Sequence, residues 1–91
     1  MKSDVKAIRK TGTGSVFAGR TRLRGIVLAS DGGGAGTIIL QDNTDSATLF
    51  QADVPTGDVF AYNLAEDGIL FEGGMSISAI SNATVTVIID K

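Results

Sequence analysis

The chain contains no cysteine, no histidine and no tryptophan, and one proline and one tyrosine among its 91 residues. Without cysteine there is no disulfide, no thiolate nucleophile and no thiolate metal ligand. Without histidine the usual general base near neutral pH is missing too. No segment approaches the roughly 18 consecutive apolar residues that a membrane helix needs. The opening "MKSDVKAIRK" is charged but has no apolar centre, so it does not read as a secretory signal. Helical periodicity is also lacking, because glycines interrupt any run of apolar residues at i, i+3, i+4 and i+7.

Twelve glycines set between short β-branched runs point to an all-β chain. Strands are expected at Val5–Arg9, Ser15–Ala18, Arg22–Ala29, Thr37–Gln41, Thr48–Asp53, Asp58–Leu64, Ile69–Glu72, Ser76–Ile80 and Thr84–Ile89. In "MSISAISNATVTVIID", Met75, Ile77 and Ala79 alternate with Ser76 and Ser78, and Val85 and Val87 alternate with Thr84 and Thr86. That pattern belongs to antiparallel strands with one buried and one wet face. "GIVLAS" and "GTIILQD" are continuous apolar runs and suit central strands. "SDGGGAG" reads as a glycine hairpin turn, since a phosphate loop would need a following Lys and a helix. Gly68 and Gly73 are expected as turn positions flanking the Ile69–Glu72 strand. The turn spacing predicts a small antiparallel β-sandwich, jelly-roll-like, of about eight strands. It forms a single domain, with residues 1–19 as a basic N-terminal arm carrying short strands and 20–91 as the sandwich.

A chain this small buries a modest core, and here the core is poor in rings while 43% of residues are hydrophobic. Self-association would cover the surplus, so a homo-oligomer is expected.

The chemical inventory is thin. Ser15 in "GTGSVFAG" superficially resembles a nucleophile elbow, but Phe17 stands where the second glycine should be. Glu66, Asp67 and Glu72 could pair as glycosidase carboxylates, yet a solvated turn explains them, and a 91-residue chain has little room for a substrate cleft. "DNTDS" sets oxygen ligands at Asp42, Thr44 and Ser46 with Asp53 further along, which echoes a calcium loop. The sixth-position glycine and the terminal glutamate are missing, and Asx turns account for the cluster equally well. Whether Asp42, Asp45 and Asp53 bind calcium stays open at this level. The reading is of a chain that is not an enzyme and has no cofactor and no metal.

Charge segregation is the strongest signal. Residues 1–30 hold seven basic residues against Asp4 alone, a net of +6, whereas residues 31–91 hold Lys91 against nine acids, a net of −8. Arg20, Arg22 and Arg24 alternate, so they should share one face of a strand, with Lys6, Arg9 and Lys10 on the arm before them. Two readings compete: charges that protect sheet edges, and a basic surface that docks on an acidic partner. A pI near 4.8 and the lack of exposed aromatics argue against nucleic acid as that partner.

"RTRLRGIVLAS", then "GTIILQD" (Gly36–Asp42), "DGILFEG" (Asp67–Gly73) and "NATVTV" (Asn82–Val87) follow one another in an order that resembles the small β-sandwich virion proteins of tailed bacteriophages. The resemblance spans roughly residues 20–90 and rests on turn glycines and core aliphatics. It implies a structural component of the virion, made in the host cytoplasm. The first expectation is a capsid decoration or cement protein bound to the major capsid protein, and the second is a neck, tail or fibre-base subunit. A carbohydrate-binding module is a third reading, with Tyr62, Phe17, Phe50 and Phe60 as the few rings it could use. The family's motifs carry no functional residues to transfer.

Overall fold

The computed structural model describes residues 5–64 and 68–90, with nine strands and no helix among them. They are β1 (Val5–Lys10), β2 (Gly14–Ala18), β3 (Thr21–Ser30), β4 (Gly36–Asp42), β5 (Thr48–Val54), β6 (Val59–Asn63), β7 (Ile69–Phe71), β8 (Gly74–Ser81) and β9 (Ala83–Asp90). They form two antiparallel sheets. The first runs β1-β9-β3-β6, with β7 also paired to β3, and the second runs β2-β8-β4-β5. All nine expected strands are present; the ninth, beyond the eight of a jelly roll, is the three-residue β7.

The pairings β1·β9, β2·β8, β3·β6 and β4·β5 are nested around the β4–β5 hairpin, as in a long two-stranded ribbon rolled up on itself. That nesting makes the sandwich a jelly roll. It also changes the meaning of "SDGGGAG". The stretch is not a hairpin turn, because β3 and β4 belong to different sheets, and it carries the chain across the sandwich. The crossing is fixed by its own polar groups. The Gly32 N–H donates to Ser30 Oγ (3.1 Å), the Gly33 N–H to Asp31 Oδ1 (2.8 Å) and the Asp31 N–H to the Asn82 carbonyl (2.9 Å). Asn82, alone between β8 and β9, makes the return crossing with a φ of 51°. Asparagine is among the few residues other than glycine that tolerate that region.

Period-two alternation sets the core. In β9, Ala83, Val85, Val87 and Ile89 point inward while Thr84, Thr86 and Ile88 stand on the outer face. In β4, Ile38 and Leu40 are buried, and both apolar runs, β3 and β4, are central strands. Leu23, Ile26 and Leu28 from the first sheet meet Ile38, Leu40, Met75 and Ile77 from the second. Each such side chain contributes about 1.5–3 kcal/mol by leaving water. Phe71 is the one aromatic side chain among the fully buried residues, so the core is held by aliphatic packing.

Four register shifts interrupt the ladders: between Leu23 and Gly25 where β3 meets β9, between Ser15 and Phe17 in β2, between Leu40 and Gln41 where β4 meets β5, and between Ile39 and Leu40 where β4 meets β8. The first leaves Arg24 without a partner on β9 and breaks the alternation just after it, where Gly25 and Ile26 are both buried.

Candidate functional site

Segregation of charge along the chain becomes segregation between sheets. Lys6, Arg9 and Lys10 lie on β1, Arg22 and Arg24 on β3, and Arg20 in the turn that enters β3. The strands of the second sheet contain no Lys or Arg and carry Asp42 and Asp53. The jelly roll produces this sorting by sending β1 and β3 to one sheet and β2, β4 and β5 to the other.

The six basic residues are not equivalent. Lys6, Arg9 and Lys10 pair with Ile89, Thr86 and Val85 on β9, so Arg9 shares the outer face with Thr86. Lys6 and Lys10 project from the opposite side of this edge strand, at the rim of the sandwich. Arg22 lies between Leu70 and Asp90 on the outer face. Arg24, at the bulge, donates from Nη1 to Asp90 Oδ2 at 2.9 Å in a half-exposed ion pair. Its Nε is buried and has no hydrogen-bond partner among the described residues. The expectation that Arg20, Arg22 and Arg24 act together on one strand face is therefore modified. Arg20 precedes the strand, and Arg24 is engaged within the chain. Arg22 and Arg24 still alternate with buried Leu23 and share the outer face, and the physical reason for their difference is Asp90, which bonds Arg24.

Arg20, Thr21, Arg22, Leu70 and Asp90 line an open cleft of ≈ 150 Å³. Thr21 is buried and its hydroxyl donates to the Asp90 carbonyl (3.2 Å), which ties β3 to the end of β9 beneath the cleft. Two guanidinium groups at one opening suit a carboxylate on a partner surface. Asp90 is the one acid in the described strands of this sheet, and Arg24 neutralises it. The surface left by Arg9, Arg20 and Arg22 is cationic.

The acidic loop has a different role. Asp42 is buried at the end of β4, and Oδ1 accepts the N–H groups of Thr44 (2.9 Å) and Gly73 (3.0 Å) while Oδ2 accepts that of Glu72 (3.0 Å). The Thr44 bond first, with those from Gly73 and Glu72, holds the carboxyl below its ordinary value of 3.8, outweighing the opposing effect of burial. Gly73 must lack a side chain here, because a Cβ would collide with Thr44 Oγ1. Asp45 accepts the Ala47 N–H (3.1 Å) in an Asx turn, and Asp53 accepts the Thr37 hydroxyl (3.0 Å) out on β5. The carboxylates considered for calcium are thus directed at the protein's own donors. Among the described residues no three His, Cys, Asp or Glu side chains are grouped to hold a metal ion.

Of the other candidates, Ser15 is exposed on β2 opposite Ser76. Glu66 and Asp67 lie outside the described residues. Phe17, Phe50 and Phe60 pack against the core, and Phe60 also stacks on exposed Tyr62 at 6.0 Å on β6. The Arg24–Asp90 pair spans 66 positions and leaves no local mark in the sequence. The Asp42 clamp could have been suspected from the Asx-rich "DNTD", but its partners on the far side of β7 could not.

No protein-family model, curated protein or solved structure matches this chain. The fold and the charged sheet therefore stand as the ground for a functional reading.

Proposed function

We propose that the chain is a non-enzymatic virion structural protein, a capsid decoration or cement protein that docks on the acidic surface of the major capsid lattice. The observation that carries the reading is the confinement of the described Lys and Arg residues to one sheet and its entry turn, in a protein of net charge −2. The resemblance of the chain's motifs to small phage virion proteins supplies the partner class. A small rigid sandwich with one cationic sheet suits binding repeated over a shell, where many weak contacts gain from multivalency.

Arg9, Arg20 and Arg22 are the residues to reverse, because Arg24 is the one already bonded to Asp90 within the chain. Exposed pairs contribute about 0–1 kcal/mol each, so the variant R9E/R20E/R22E should lose about 1–3 kcal/mol, roughly ten- to a hundredfold in affinity. The test is co-sedimentation with shells assembled from the major capsid protein alone. Wild-type protein should bind and be released as ionic strength rises past about 0.15 M. Attachment that resists both salt and the triple reversal would overturn the docking surface. A copy number fitting a single ring would move the protein to the neck or tail.

A further inference from the structure

The two edges of the first sheet are built differently, and the difference points to a second partner surface. β1, at one edge, carries three cations in six residues. β6, on the other side, reads Val-Phe-Ala-Tyr-Asn, with no charge, no proline and no register shift in its pairing with β3. Edge strands are ordinarily blunted against pairing by charge, bulges or shortness. In the second sheet β5 has Asp53 and is followed by Pro55, and β2 is broken by its bulge. β7, in line with β6, is only three residues long. β6 also bears both exposed large hydrophobic residues among those described, Val59 (59% exposed) and Tyr62 (48%).

We propose that β6 is the strand through which two copies of this chain join, antiparallel about a two-fold axis at Ala61. The hydrogen bonds at its ends fix which groups face outward. The Ser30 N–H donates to the Asp58 carbonyl and the Leu64 N–H to the Arg24 carbonyl, both at 3.0 Å. In the observed register, even-numbered residues of β6 therefore bond to β3, and the backbone groups of Val59, Ala61 and Asn63 point to the free edge. Pairing at Ala61 lets the two alanines exchange both bonds. Each Asn63 N–H then reaches the other copy's Val59 carbonyl. The Val59 N–H keeps the Asp58 carboxylate it already holds at 2.8 Å.

The same register sets Phe60 of each copy opposite Tyr62 of the other. These become the closely spaced, non-hydrogen-bonded pairs, in which aromatic side chains interact best. The existing Phe60–Tyr62 stack would grow into a four-ring cluster that covers the exposed tyrosine. Charge favours a copy of this chain as the occupant. A β1 edge would face its own cations, whereas β6 faces no like charge. Asp58 of each copy also runs beside the end of the other β6 that adjoins Arg24. The product is one continuous sheet with a basic β1 at each far end, which goes beyond the docking proposal by making it bivalent.

The absence of cysteine makes the test clean. In Ala61→Cys the alpha carbons of the two cysteines would lie about 5.5 Å apart, within disulfide reach, and mild oxidation should yield a covalent dimer. Ala7→Cys, exposed on β1, should yield none. Sedimentation of the unmodified chain should show a dimer. Ala61→Lys or Ala61→Glu alone should raise its dissociation constant several-fold through like charges directly opposite. Mixing the two variants should restore it, a rescue that a folding defect would not give. A chain that stays monomeric, a dimer unaffected by Ala61→Lys, or cross-linking at residue 7 equal to that at 61 would each overturn the proposal.

Discussion

Gly68 and Gly57 share a backbone conformation but not a setting, so the pair separates two costs of adding a side chain. Their φ angles are 71° and 77°, both in the left-handed region that L-residues disfavour. Around Gly57 nothing lies within 4 Å of an added Cβ. At Gly68 the same Cβ would collide with the Leu23 carbonyl oxygen and approach Arg24 Cδ to 3.3 Å. Left-handed strain costs about 1–2 kcal/mol, partly offset by about 0.4–1 kcal/mol from the stiffer unfolded chain. Gly57→Ala should therefore lose about 1 kcal/mol. Gly68→Ala must also push β7's entry away from β3, at the about 1–3 kcal/mol typical of overpacking. Against a total of about 5–14 kcal/mol for a domain this size, that difference is large. Urea unfolding should place Gly68→Ala below Gly57→Ala by about 1–3 kcal/mol with an unchanged m-value, and Tm should be lower by at least about 4 °C. Equal losses at the two positions would refute the close approach of residue 68 to the bulged strand.

Asp42 should shape the acid limb of stability. Its carboxyl is lowered in the folded state, so its stabilisation is fully present above the ordinary value of 3.8 and is lost as pH falls through the lower folded value. Urea midpoints measured down through the acid range should fall less steeply in Asp42→Asn than in the unmodified protein. Phe71→Ala removes the largest fully buried side chain and should cost about 3–5 kcal/mol, read by the same unfolding assay. Charge reversal at Arg9 and Arg20 should leave Tm nearly unchanged while weakening shell binding, whereas reversal at Arg22, which stands opposite Asp90, should also lower Tm.

The strands were legible because their signals are local. Alternation in Ala83–Asp90 and the apolar run in Gly36–Asp42 need only neighbouring residues to declare an inward face or a central position. Net charge by segment was legible for the same reason. The role of each charge was not. Arg22 and Arg24 look alike in "TRLRG", yet a carboxylate 66 positions away commits Arg24 to Asp90 and leaves Arg22 on the cleft. Likewise "SDGGGAG" announces a turn by composition, but whether that turn makes a hairpin or crosses the sandwich depends on the partners β3 and β4 take elsewhere. By itself the sequence determined which residues form strands, which side of each seeks the core, and that positive charge gathers early in the chain. Strand order, the sorting of charge onto one sheet and the unprotected edge at β6 were decided by tertiary structure. The physical reason is that sheet pairing joins segments tens of residues apart, and no local pattern records which segment will lie alongside.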